Sequence, residues 1–148
     1  MAPINKITRK DVEEFGGSLD EYQCIATQSA FYPGQGTALG LVYVGLKLNG
    51  EAGELAEHIG KAMRDDGFVT PISEDGCEQL RALSGFFAGH LTDTRRALII
   101  KEIGDVLWYL SAACNELGIK LSEVAATNLE KLCDRGERNA LQGSGDER

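Results

Sequence analysis

Acidic residues recur at helical spacing in two places: Glu51 and Glu54 in "NGEAGELAEHIGKAMRDD", and Glu102 and Asp105 in "KEIGDVLWYLSAACNEL". Acids three residues apart share one side of a helix, and a turn of about 100° per residue locates that side. In the first stretch Leu48, Ala52, Leu55, Ile59, Ala62 and Met63 make an apolar stripe. Glu51 falls about 70° from its centre and Glu54 about 130°, whereas Glu57 lies nearly opposite and faces water. In the second stretch the stripe is Ile99, Ile103, Val106, Leu107, Leu110, Cys114 and Leu117. Glu102 sits about 75° from its centre and Asp105 about 135°, displaced in the same sense. Packed antiparallel or at a crossing angle, two such edges converge on one cleft.

Carboxylates gathered at a core boundary repel one another, and burying one without a partner is expensive. A divalent cation removes both penalties. Hard, all-oxygen ligands suit Mg²⁺, with Mn²⁺ as a substitute, and poorly suit zinc; magnesium also commonly binds substrate phosphates. Two other readings stand beside this one. Acidic pairs are common on solvated helix faces, as in a non-catalytic helical interaction protein. A di-iron bundle requires Glu-x-x-His, and His58 follows Glu54 by four places rather than three.

The elements that must position these acids read as all-α. A weak first turn starts at Thr8, and Gly16-Gly17 breaks the chain. Ser18 and Glu21 have capping-box spacing for a first helix from about 19 to 31, stopped by Pro33. "GQGTALG" resembles a phosphate loop only superficially: no strand precedes it and its third glycine is one place late, so a plain loop is expected. A second helix runs from Thr37 or Ala38 to about Asp65, with interior glycines that suit close helix packing. Residues 67–93 form an excursion with one short helical candidate, about 74–87. A third helix spans about 94–117, capped by Asp93 or Thr92 and ended by Gly118. Ser122 is positioned to cap a fourth, to about Arg138.

The 148 residues suffice for one domain with a sizeable core. Residues 1–17 read as an N-terminal extension and 18–148 as the domain, with a polar tail at 140–148. A net charge of −8 argues against a general nucleic-acid or anionic-membrane binder. No apolar run spans a membrane and the start lacks a signal-peptide centre, which points to a cytoplasmic protein. Cys24, Cys77, Cys114 and Cys133 form no C-x-x-C pair and read as reduced packing residues.

"GEAGELAE" followed by "KEIGDVLWYL" resembles the E-x-x-E and E-x-x-D signature of the MazG-like all-α nucleoside triphosphate pyrophosphohydrolases, over roughly residues 19–145. The resemblance implies a four-helix MazG-like bundle, with the excursion between helices two and three, assembling as a homodimer or homotetramer. It implies Mg²⁺-dependent hydrolysis of (deoxy)nucleoside triphosphates to monophosphate and pyrophosphate, with phosphoribosyl-ATP or a guanosine alarmone as alternative substrates. By position the metal ligands are Glu51, Glu54, Glu102 and Asp105, and Tyr109 matches a nucleotide-contacting position. "NLEKLCDRGERN" resembles the family's basic fourth helix, so Asn128, Lys131 and Arg135 are candidates for phosphate or sugar, with Lys61 and Arg64 as further ones. Trp108 and Tyr109 offer aromatic surface to a base; Trp108 also suits a subunit interface. The "GSGD" tail resembles that of short bacterial and phage members. Two departures stand out. Gly50 occupies the place of an extra glutamate present in many members, which leaves the general base unassigned, and the excursion lengthens the gap between the acidic pairs.

Overall fold

The computed structural model describes residues 7–66 and 91–138. Among them are five α-helices, one 3-10 turn and no strand: α1 (Arg9–Glu13), α2 (Leu19–Ala26), the 3-10 turn (Thr27–Ser29), α3 (Ala38–Asp65), α4 (Asp93–Leu117) and α5 (Leu121–Glu137). The all-α expectation holds. The helical candidate at 74–87, Cys77 and the 140–148 tail lie outside the described residues. None of the described helices is long and apolar enough to cross a membrane.

Local signals set most boundaries. Thr8 caps α1 through a reciprocal box with Asp11, and the Ser18 hydroxyl accepts from the Glu21 amide at the start of α2. Glu21 does not close that second box. Its carboxylate accepts from the Gly16 amide instead, tying down the chain before the cap. The first helix ends earlier than its pattern implies, at Ala26, and tightens into the 3-10 turn. Thr92 caps α4 by accepting from the Arg95 amide. Gly118, at φ +66°, ends it, with the Ile119 amide reaching back to the Cys114 carbonyl.

The chain forms two compact units. One contains the residues up to Val44 together with those from Leu110 onward, and the other comprises Gly45–Tyr109, so α3 and α4 each contribute to both. In the first unit α2 packs on α5, and Ala26, Tyr32, Val44, Ala112, Cys114 and Leu121 are buried. Its polar groups are closely matched. The Gln23 amide nitrogen donates to Asn115 Oδ1 at 2.6 Å and to the Ile119 carbonyl at 3.0 Å, while its oxygen accepts from the Leu121 amide at 2.7 Å. Ser122 does not cap α5; Lys120 holds the cap position without a side-chain bond. The Ser122 amide and hydroxyl both donate to Asp20, so α2 supplies the anion at this helix start. Those bonds, led by the hydroxyl, hold the Asp20 carboxyl below the ordinary carboxylate range.

The glycine-rich loop also finds its anion inside the chain. The Gly36 amide donates to both Glu116 oxygens, at 3.1 and 3.0 Å, and the Tyr32 hydroxyl donates to Glu116 at 2.6 Å. Burial, followed by the Glu116 bond and charge, pushes the Tyr32 hydroxyl pKa up. Gly40 permits the close approach: a Cβ there would lie 2.5 Å from the Gly34 carbonyl oxygen. Close packing at the α3 glycines is confined to this position, because at Gly45, Gly50, Gly53 and Gly60 an added Cβ would meet nothing within 4 Å among the described residues. Two cysteines also depart from expectation. Cys114 is buried, which raises its thiol pKa, but Cys24 and Cys133 are exposed.

In the second unit α3 and α4 run antiparallel. Asp66, after the end of α3, meets Arg95 near the start of α4, whereas His58 and the earlier Glu51 and Glu54 gather about Glu102. Ala62 is fully buried, yet Leu46, Met63, Ile100 and Ile103 are exposed.

Gln23→Leu keeps the side-chain volume near native but leaves the Ile119 carbonyl and Leu121 amide without their partner. Losing a buried hydrogen-bond partner costs about 1–3 kcal/mol per group. Urea unfolding should therefore show a loss of at least about 2 kcal/mol.

Candidate metal centre

The carboxylates of Glu51, Glu54 and Glu102 each offer an oxygen within 4.8 Å of the others. Their burial is graded: Glu54 is exposed, Glu51 half-buried, and Glu102 buried at 2% exposure. Angular placement on the helix puts Glu102 at the border of the apolar stripe, but it is more deeply covered than Ile103, which is 50% exposed. The displacement has a structural cause. The antiparallel packing of α3 turns the acidic edge of α4 inward, toward His58 and the two α3 glutamates. Glu57 faces solvent and pairs with Lys61 at 2.6 Å, as its position opposite the stripe implies.

Glu102 Oε1 lies 3.3 Å from Lys101 Nζ and 3.8 Å from His58 Nε2. Its Oε2 is buried and has no hydrogen-bond partner among the described residues. Asp105 stands outside the three-carboxylate group. It is half-buried, 3.7 Å from Lys101, and lines an adjoining recess of about 390 Å³ with Glu51, Trp108 and Tyr109. The two aromatic rings meet edge to face with centroids 4.8 Å apart. Lys101 answers two acids at once: the Glu102 bond, then the charges of Glu102 and Asp105, raise its ammonium pKa. One ammonium does not balance four carboxylates. Like charges about 4 Å apart repel by roughly 1 kcal/mol in water and 4 kcal/mol near a protein surface. A buried oxygen without a donor, three converging hard oxygens and a surplus of negative charge together fit a divalent cation such as Mg²⁺ or Mn²⁺.

The residues proposed from sequence for substrate are distributed unevenly. Tyr109 lies in the recess beside Glu51 and Asp105. Lys61 is committed to Glu57 and Arg64 to Asp65 through two bonds, of 2.6 and 2.8 Å. Asn128 and Lys131 belong to the other unit and line an open groove of about 450 Å³ with Ile119, Glu123, Val124 and Thr127. Arg135 is half-buried on the same helix.

This geometry agrees with a family comparison: the model of the MazG nucleotide pyrophosphohydrolase domain matches residues 44–139. The chain belongs to the MazG family. The matched region contains α3 from Val44 onward, all of α4 and α5, and hence all four acids. The chain is also similar to the Gene 37 protein of Mycobacterium phage L5, with 37% identity over 134 residues, 88% of this chain and 98% of that protein. No solved structure matches the chain.

Sequence reasoning weighed His58 only for a di-iron motif and passed over Arg95 and Asp66. His58, Arg95 and Asp66 join Glu102 through side-chain contacts. The spacing of four that excludes the di-iron motif also places His58 on the helix face of Glu54, since side chains four apart share a face. Nothing in the spacing pairs Arg95 with either partner across the excursion.

Saturating Mg²⁺ or Mn²⁺ should stabilise the protein, by about 2.7 kcal/mol at a hundredfold excess over Kd. Glu102→Gln removes the buried charge, so that variant should melt no lower than wild type without cation and should lose the cation-induced rise in Tm. An equal rise in both proteins would remove Glu102 from the site.

Proposed function

We propose that the chain hydrolyses nucleoside triphosphates, deoxynucleotides among them, at the α–β phosphoanhydride. One water is consumed, the bond to the bridging oxygen breaks, and a nucleoside monophosphate and pyrophosphate are released. The observation that carries this reading is the buried, donorless oxygen of Glu102 within a cluster of three carboxylates, in a chain of the MazG nucleotide pyrophosphohydrolase family.

Glu51, Glu54 and Glu102 supply the ligand oxygens, with Asp105 as the fourth acid across the recess. A bound Mg²⁺ or Mn²⁺ neutralises phosphate charge and acts as a Lewis acid. Tyr109 and Trp108 offer aromatic surface to the base, supported by their place in the recess that Glu51 and Asp105 share. Lys131, Arg135 and Asn128 engage phosphate or sugar from α5. Lys61 and Arg64 remain candidates that must first exchange Glu57 and Asp65 for phosphate. Phosphoryl chemistry relies largely on such positioning and electrostatics. The protein works in the cytoplasm as a homodimer or homotetramer. Self-association is supported by large apolar side chains exposed in each unit, Leu39, Val42 and Leu129 in one and Leu46, Ile100 and Ile103 in the other.

Incubation with Mg²⁺ and a panel of canonical and modified nucleotides, phosphoribosyl-ATP and a guanosine alarmone included, should yield pyrophosphate from the triphosphates. Glu54→Ala should lower the rate at least 100-fold, on the order of one lost charge-stabilising group. Absence of pyrophosphate with every substrate would end the enzymatic reading. Light scattering coupled to gel filtration should return two or four times the chain mass of 16.0 kDa, and a monomer would overturn the assembly.

A further inference from the structure

Asp66 and Arg95 stand at the two described ends flanking residues 67–90 and are joined by a two-point ion pair. Arg95 Nε is 2.7 Å from Asp66 Oδ2 and Nη2 is 3.3 Å from Oδ1. Both side chains are largely buried, at 15% and 17% exposure. The guanidinium bonds hold the Asp66 carboxyl below the ordinary carboxylate range. The third guanidinium nitrogen, Nη1, is 3.5 Å from His58 Nδ1. A guanidinium donates and never accepts, so this contact suits the His58 tautomer with a bare Nδ1 and its proton on Nε2. That nitrogen faces Glu102 Oε1 at 3.8 Å. A shortening of about 1 Å brings it into hydrogen-bond range.

We propose that Asp66, Arg95 and His58 form an outer shell of the carboxylate centre, in which His58 is a positioning residue that holds Glu102 through Oε1 and leaves Oε2 for the cation. The inference rests on the cation reading of the cluster and extends it to residues that touch neither cation nor substrate. Arg95 fixes the tautomer and the ring orientation, and Asp66 fixes Arg95. Partners of this kind typically change metal affinity about 10- to 100-fold when removed. The alternative is that the chain of contacts only ties α3 to α4, in which case it affects melting and leaves the cation alone.

Mn²⁺ titration of the full chain, followed by the loss of the free-ion electron paramagnetic resonance signal, separates these roles. His58→Leu fills similar space without a donor and should weaken Mn²⁺ binding about 10- to 100-fold. His58→Gln returns an amide donor near the Nε2 position and should stay within about threefold of wild type. Arg95→Lys keeps the charge but loses the planar fork, and should weaken Mn²⁺ binding about tenfold. Circular dichroism melts without metal serve as the structural control, and if His58→Leu does not fold, Arg95→Lys and His58→Gln decide. Unchanged affinity in folded His58→Leu or in Arg95→Lys, or equal weakening by Leu and Gln at position 58, would overturn the shell while leaving the cation reading intact. Failure of the wild type to bind Mn²⁺ would overturn both.

Discussion

The carboxylate of Glu102 is the constraint around which the Gly45–Tyr109 unit is arranged. A 2%-exposed glutamate needs compensation for lost hydration, and among the described residues one of its oxygens meets a lysine at 3.3 Å and a histidine at 3.8 Å. The other has no hydrogen-bond donor among the described residues. Two more carboxylates approach the same place instead of withdrawing, which aggravates the repulsion. An arrangement maintained against its own electrostatics is characteristic of functional sites, where local stability is given up for reactivity or binding.

The unit formed by residues up to Val44 and from Leu110 onward follows the opposite rule. Gln23 satisfies two helix-junction groups and an asparagine, Asp20 accepts both donors of Ser122, and Glu116 is gripped by Gly36 and Tyr32. The acceptor oxygens of Gln23, Asp20 and Glu116 thus find their donors within the unit. The glycine loop illustrates the difference. Its amides suit an anion, as such loops do, yet Glu116 already fills that role, so the loop stabilises its own unit and is closed to an external phosphate.

Much of the scaffold was legible because its signals are local. Thr8, Ser18, Thr92 and Gly118 declare helix ends through bonds made within a few residues. Periodicity separated Glu57 from Glu51 correctly, since a single helix decides which way each side chain points. What failed depended on distant partners. Ser122 looked like a cap, but Asp20, about a hundred residues earlier, captures it. The burial of Glu102 exceeds what its angle on one helix implies, because a second helix covers it. The Asp66–Arg95–His58 contacts join residues up to 37 positions apart, and no periodic pattern within one helix carries that information.

Charge also couples the cation to the nucleotide in the proposed reaction. The chain carries −8 overall, and the recess is bordered by Glu51 and Asp105, beside Glu54 and Glu102. A triphosphate approaching those acids without a cation meets repulsion over a distance comparable to the Debye length, about 8–10 Å at physiological ionic strength. The same acids attract a nucleotide whose phosphates already share a divalent ion. Cation and nucleotide therefore strengthen each other's binding, and by linkage the enhancement is the same whichever arrives first. In the proposed reaction, aromatic contact from Trp108 and Tyr109 would supply affinity that is independent of that charge. On the proposed function, a markedly acidic protein would select a polyanionic substrate because its acids would bind the cation that the substrate brings and its uncharged surface would bind the rest.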